Sequence, residues 1–87
     1  MLAGQIEAKV DPRYPQAFRE SGVQGSVVLS ILVGKDGSIE SLRLLSGPPE
    51  LQAAAWEAVK QWRYKPYLLN GEPTRVQSTV TVNFKLE

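Results

Sequence analysis

The sequence contains neither cysteine nor histidine. Without cysteine, disulfide bonds and thiolate metal sites are excluded. Without histidine, the side chain that most often serves as a general base or as a metal ligand is missing. The seven serines offer no nucleophile without a histidine, or a suitably placed lysine, as the base that activates one of them. We expect a protein that is not an enzyme and that holds no cofactor.

The sequence also has little net charge and no long apolar run. A formal charge of +1 on 87 residues gives no reason to expect nucleic acid as a partner. No stretch approaches the roughly 20 apolar residues that span a bilayer, and no signal peptide is visible. If the protein is exported or anchored, we expect its targeting segment to lie outside these residues. The length predicts one domain with a small core.

The acidic residues form no pair whose spacing brings two carboxylates together. They fall mostly in turns or on polar faces, and the sequence lacks a glycine-rich loop of the kind that cradles phosphate. The carboxylates considered are Asp11, Glu20, Asp36, Glu40, Glu50, Glu57 and Glu72.

The first quarter of the chain shows little periodicity. We predict a flexible N-terminal arm over residues 1–10 and a folded domain over residues 11–87. Two prolines make Asp11–Pro15 extended, and Pro15 suits the first turn of a short helix that ends at Glu20 or Ser21. Ala17 and Phe18 are expected to face the core, and Gly22 to cap the helix.

The next segment predicts a β-hairpin. Apolar residues alternate from Val27 to Val33, and apolar residues on the second face as well indicate a central strand. The turn Gly34–Gly37 leads into a returning strand, Ser38 to Ser46, whose phase requires a bulge near Glu40 and Ser41.

A longer helix follows from Pro49, and Pro66 predicts that it ends by about Tyr64 or Lys65. Its apolar stripe places Trp62 in the core, and Trp56 either at the core rim or in an interface. A loop, Tyr67 to Pro73, contains the turn signal Asn70–Gly71. The stripe consists of Leu51, Ala54, Ala55, Ala58, Val59 and Trp62.

The last element alternates most cleanly, with apolar residues on one face and polar residues on the other from Arg75 to Leu86. The chain is therefore α+β. We predict two layers, a three-stranded antiparallel sheet packed on one long helix, with a short N-terminal helix and the order α-β-β-α-β. In the expected sheet order 2-1-3, the last strand lies at an edge.

This edge strand is the best candidate for a site. Its middle, Gln77 to Val82, is uncharged, and only Arg75 and Lys85 guard its ends. An extended peptide could add to such an edge as a further strand. Alternatively, the N-terminal arm or a second copy of the chain covers it, and the pattern does not choose between these readings.

In their order along the chain, several motifs together resemble the C-terminal domain of TonB-type energy transducers. The resemblance covers Tyr14 to Leu86, and no single motif is diagnostic. The matching features are Tyr14-Pro15 with Ala17 and Gly22, Gly25-x-Val27-x-Leu29, Asp36-Gly37, Leu45-Ser46-Gly47, Ala54-Ala55, Ala58-Val59, Trp62-Arg63-Tyr64-x-Pro66, Gly71-x-Pro73 and the final strand.

The resemblance implies a periplasmic domain of a protein anchored in the inner membrane of a Gram-negative bacterium. Such a domain works with proton-driven motor proteins through an N-terminal region outside this sequence. It binds the TonB box of outer-membrane receptors by strand addition and transmits energy for uptake of siderophores, cobalamin or similar nutrients. The alternative is an interaction or dimerisation module of another envelope protein.

The edge strand and the resemblance together define the residues expected to meet a partner. One departure from the family is Asp11, which stands where well-studied relatives carry a glutamine, so that either receptor choice differs or the chain is a paralogue with another partner. The candidate residues are Asp11, Pro12, Arg13, Tyr14, Pro15, Arg75, Val76, Gln77, Ser78, Thr79, Val80, Thr81, Val82, Asn83 and Phe84.

Overall fold

The computed structural model describes residues 6–86, which form seven strands and two helices. The predicted arm therefore lies partly outside the described residues, and its described part includes a short strand. In chain order the elements are β1 (Ile6–Ala8), α1 (Gln16–Glu20), β2 (Gly25–Val33), β3 (Ile39–Ser46), α2 (Pro49–Val59), β4 (Arg63–Tyr64), β5 (Tyr67–Leu69), β6 (Glu72–Thr74) and β7 (Val76–Phe84).

The main sheet has the order β3-β2-β7 and is antiparallel throughout. The predicted α+β fold and sheet order are confirmed. One face of the sheet, the core face, carries four side chains of β2 that are at most 1% exposed. Helix α2 contacts β2 and β3 and buries its own apolar stripe in the same cluster. The four β2 residues are Val27, Leu29, Ile31 and Val33.

Strand β3 is irregular at two places. Ile39 pairs with Val33 and Ser41 with Leu32, so Glu40 is the extra residue of a bulge. This confirms the bulge predicted near Glu40 and Ser41. A second irregularity lies between the pairs that Leu44 and Ser46 form with β2.

The predicted end of the long helix is wrong. Helix α2 ends at Val59, and the N–H groups of Gln61 and Trp62 donate to carbonyls only three residues back. The N–H of Tyr64 donates to the Gly37 carbonyl oxygen at 2.8 Å. Arg63 forms an antiparallel bridge with Ser38 and also pairs with Ala8 of β1. Tertiary hydrogen bonds thus override the helical pattern, although Trp62 is buried as predicted.

The chain from Tyr67 to Thr74 is a small hairpin, β5–β6, where the sequence predicted only a loop. Its turn is the expected Asn70–Gly71, and both residues have positive φ, 53° and 82°. This conformation suits a tight hairpin turn of the kind that Asn-Gly favours.

Two further sequence predictions need correction. Strand β7 ends at Phe84 rather than Leu86, because its partner β2 begins at Gly25, opposite Phe84. Ala17 is exposed, since the five-residue helix α1 is too short to bury one whole face. Phe18 does pack against the core. Within residues 6–86 no helix is long and apolar enough to cross a lipid bilayer.

Gly37 allows the closest approach between the hairpin and β4. Its φ is +88°, and a Cβ built there would lie 1.8 Å from the Tyr64 carbonyl oxygen. We expect Gly37→Ala to lower the free energy of unfolding by roughly 2–4 kcal/mol, because backbone atoms must move apart. Chemical denaturation measures this change.

Gly22→Ala is the matched control, because its φ is +78° but nothing lies within 4 Å of the added Cβ. It should cost only about 1 kcal/mol, the cost of the left-handed conformation alone. Equal losses of stability in the two variants would contradict the role of close contact at Gly37.

The turn before β3 holds an ionised carboxylate. The Ser38 hydroxyl donates to Asp36 Oδ1 at 2.6 Å, and the Ser38 N–H donates to it at 3.0 Å. The hydrogen bond from the hydroxyl has the larger effect and the one from the N–H the smaller. Together they hold the pKa of Asp36 below its ordinary value of 3.8. The stabilisation they give is present above the ordinary pKa and is lost as pH falls through the lowered one.

Ser38→Ala removes the hydroxyl and should return the Asp36 pKa towards 3.8. An NMR titration of the Asp36 carboxyl carbon measures the shift in each protein. An unchanged pKa would show that the backbone N–H alone holds the carboxylate.

Candidate functional site

The sheet has two edges, and they differ in regularity. Strand β3 carries two irregularities, which interrupt the even row of backbone groups that a further strand would need. Strand β7 pairs with β2 over nine consecutive residues without a register shift. Within the part of the chain that the structure describes, β7 has no other strand partner. We call its unpaired side the free edge.

The hairpin turn determines which residues of β7 face the free edge. The Gly34 N–H donates to the Ser38 carbonyl oxygen at 2.7 Å, so Gly34 directs its backbone groups towards β3. Backbone direction alternates along a strand, so Val33 bonds towards β7, where its partner is Val76. The alternation continues along β7. The residues whose N–H and C=O groups point away from β2 are therefore Gln77, Thr79, Thr81 and Asn83.

These four residues are exposed and uncharged. On the outer face of the sheet, Gln77 and Asn83 hydrogen-bond Ser30 and Ser26 of β2 across the strands, at 3.3 and 2.5 Å. Their side chains are thus held over the sheet rather than over the free edge. The flanking Arg75 donates to Glu40 Oε1 at 2.9 Å, which offsets its charge. The free edge is a neutral row of backbone donors and acceptors.

Other β7 residues in the predicted site have different roles. The side chains of Val76, Val82 and Phe84 lie in the core, and Val80 packs against it. Ser78 is half-buried on the same face. The backbone groups of all five point towards β2, so they support the edge rather than present it.

Trp62 fixes the chain that precedes Pro12. Its indole N–H donates to the Val10 carbonyl oxygen at 2.9 Å, and Lys9 Nζ lies 5.3 Å from the ring centroid. Next to these contacts, β1 pairs with β4. The N-terminal chain is thereby held beside β7.

The space between this chain and β7 is a cleft of about 210 Å³, the edge cleft. Lys9, Asp11 and Pro12 line one part of it, and Thr81–Asn83 line another, together with Trp62. The structure thus brings Asp11 and Pro12 of the predicted site next to the end of β7. No pattern in the sequence points to Lys9, and the apolar stripe predicts Trp62 only as a core residue.

Tyr14 attaches the following residues to the core. Its hydroxyl donates to the Val23 carbonyl, and its ring lies edge-on to Phe84 with 5.3 Å between centroids. Pro15 is the N-cap residue of α1, and Arg13 is exposed. Arg75, Val76 and Gln77 lie at the opposite end of β7 from these residues. The structure therefore gathers only part of the predicted set at one place.

The described residues include no cluster of three or more acidic side chains that could hold a metal ion. The chemistry available at this site is hydrogen bonding by backbone groups, with a few charged side chains around one end of the strand.

The family model for the C-terminal domain of Gram-negative bacterial TonB proteins matches residues 10–86. Among curated proteins, the chain is 37% identical to Protein TonB of Vibrio cholerae over 94% of its own length, and 34% identical to Protein TonB of Xanthomonas campestris over 86%. In both cases the chain spans about a third (34%) of the length of the relative.

A solved structure shows the same fold. The solution NMR structure of the Pseudomonas aeruginosa TonB C-terminal domain superposes with a TM-score of 0.79 at 25% identity. The match covers 95% of this chain and 86% of that one.

We expect Trp62→Phe to weaken the attachment of β1 to the domain. An aromatic ring remains, although smaller than the indole, and the hydrogen bond to Val10, worth about 1 kcal/mol, is lost. Hydrogen exchange of the β1 amides should become about fivefold faster relative to amides of β2. Trp56→Phe is the control, because Trp56 lines a different cleft with Leu44 and Pro49. Unchanged exchange in β1 would show that strand pairing alone holds the segment.

Proposed function

Because the chain belongs to the family of C-terminal domains of Gram-negative bacterial TonB proteins, we propose that it transmits force to outer-membrane receptors. It binds the extended TonB box of a receptor as an additional strand on β7. The resemblance seen in the sequence is confirmed by the family match and by the solved fold. The receptor, the nutrient and the action of the whole protein belong to the proposal, since the chain spans about a third of its curated relatives.

The observation that carries this proposal is the free edge of β7. Four residues, Gln77, Thr79, Thr81 and Asn83, present backbone groups on one side of a regular strand, and none of them is charged. An added strand would form a ladder of hydrogen bonds, each contributing about 1 kcal/mol net. Because such a ladder reads little side-chain sequence, one domain can serve several receptors.

The same geometry suits the transmission of force. An added strand would be loaded along a row of hydrogen bonds rather than at one contact. Strand β7 is itself paired with β2 over nine residues, and β2 lies at the centre of the core. A pull on the partner segment would therefore pass into the most buried strand of the domain.

In this proposal the domain works in the periplasm, and the protein is anchored in the inner membrane by a segment outside this sequence. Proton-driven motor proteins act on that anchoring region. The receptors served take up siderophores, cobalamin or similar nutrients. Asp11 lines the edge cleft, where an ionised carboxylate accepts hydrogen bonds but cannot donate them. It should favour receptor segments that offer a donor at this place.

A second copy of the chain could use the same edge. Two β7 strands could pair antiparallel around a twofold axis, because such an interface presents one surface to itself. This homodimer would compete with the receptor segment for the same N–H and C=O groups. A dimerisation module of another envelope protein is the alternative function that such an edge supports.

Thr79→Pro is the direct test. Proline removes one N–H from the free edge and none from the ladder with β2, so the domain should stay folded. We expect at least tenfold weaker binding of a TonB-box peptide, because a hydrogen bond is lost and the proline ring meets the incoming strand. NMR titration with a peptide from a receptor of the same organism gives the affinity.

Thr79→Val is the matched control, since it changes the side chain but keeps the N–H. It should bind the peptide as the original domain does. Equal affinity of the proline and valine variants would contradict strand addition at β7. A peptide that causes no shift at millimolar concentration in the folded monomer would favour the dimerisation module.

A further inference from the structure

A second cleft lies beside the end of β7 and is lined by three cations. It has a volume of about 710 Å³, and its charged lining residues are Arg13, Arg19, Lys85 and Glu20. Three cations against one carboxylate leave a net charge of +2 at this place, whereas the whole chain carries +1. We call it the cationic cleft.

The three cations have no acidic partner in the described structure. The ion pairs of residues 6–86 join Lys60 to Glu57 and Arg75 to Glu40. The one carboxylate in the cleft, Glu20, accepts a hydrogen bond from the Gln16 side chain at 3.1 Å. Among residues 6–86, no carboxylate therefore neutralises the three cations of this cleft.

The Arg19 guanidinium and the backbone next to Lys85 are held by their surroundings. The Arg19 guanidinium carbon lies 5.8 Å from the centroid of Tyr14, whose hydroxyl bonds to Val23. Beyond Lys85, the Leu86 N–H donates to Gln24 Oε1 at 3.0 Å, which attaches the chain to the body of the domain. The cleft is therefore built on the folded core.

The cationic cleft continues the free edge. Lys85 is two residues beyond Asn83, roughly 7 Å along the strand direction. The N-terminal chain also runs from one cleft into the other. Asp11 and Pro12 line the edge cleft, and the next residues, Arg13 and Tyr14, line the cationic cleft. A strand that pairs with Thr79–Asn83 and extends past the end of β7 reaches the three cations.

A neutral free edge does not by itself specify the register of an added strand, and a charged cleft at one end would. Backbone pairing by itself distinguishes poorly between registers shifted by two residues, and the exposed side chains here are all polar. A charge pair at one end would stabilise one arrangement relative to the shifted and reversed ones, because those move the anion away from the cations.

We propose that the cationic cleft binds a carboxylate of the segment that adds to β7, and that this contact fixes the segment's direction and register. The inference rests on the function proposed above. The ligand class is an acidic side chain placed just beyond one end of the strand-forming residues. The guanidinium groups of Arg13 and Arg19 suit a planar carboxylate, and Lys85 adds a third positive charge.

Three peptides with blocked ends test the proposal. They share one uncharged strand-forming sequence, and either carry no acid, one Glu before it, or one Glu after it. We expect only one of the two Glu peptides to bind more tightly than the neutral one, by about fivefold, as for an exposed carboxylate facing several cations. The gain should fall as salt rises. NMR titration gives each affinity.

The double variant Arg19→Gln, Lys85→Gln should abolish this gain and leave the neutral peptide unaffected. Its matched control, Lys35→Gln with Arg43→Gln, removes the same charge from the turn and from β3 and should keep the gain. Equal gains for both Glu peptides, no gain for either, or a gain that survives the double variant would overturn the proposal.

The neutral peptide separates this proposal from the function on which it rests. If it binds and is weakened by Thr79→Pro, strand addition stands whatever the Glu peptides do. If it does not bind, and Thr79→Pro changes the affinity of neither Glu peptide, strand addition itself is refuted and the register proposal is refuted with it.

Discussion

The alternating direction of the backbone hydrogen bonds of β2 decides which residues of β7 face the core sheet and which face outward. The bond from the Gly34 N–H to Ser38 assigns alternate residues of β2 to β3 and to β7. As a result, the β7 residues that bond inward also carry the core side chains, such as Val82 and Phe84. The residues that bond outward carry polar side chains. Core packing and the free edge are thus set together.

The N-terminal chain depends on that core in turn. Trp62 is only 4% exposed, yet its indole N–H reaches the Val10 carbonyl. Tyr14 lies edge-on to Phe84 while its hydroxyl bonds to Val23. Two aromatic residues at the core boundary therefore determine which charged residues line the clefts beside β7. The packing of these two side chains thus positions charged groups on the surface of the domain.

The sequence predicted the features that depend on local patterns. Alternation placed every second residue from Val27 to Val33 in the core and located the bulge near Glu40 and Ser41, and the ordered motifs identified the family. It failed where distant groups compete with a local pattern. The helix stops at Val59 because Tyr64 bonds to Gly37, 27 positions earlier in the chain. Likewise, no periodicity could show that Lys9 would meet Trp62 or that Arg19 and Lys85 would share a cleft.

The bulged edge of β3 limits how copies of this domain can assemble. A sheet with two regular edges can add further copies without end, which is the route to fibres. Here the main sheet of two domains joined through β7 would end on both sides in β3, whose irregularities at Glu40 and between Leu44 and Ser46 interrupt the backbone row. Growth would stop at two copies. Pairing through β7 would therefore not extend the main sheet beyond two domains, even at high local concentration.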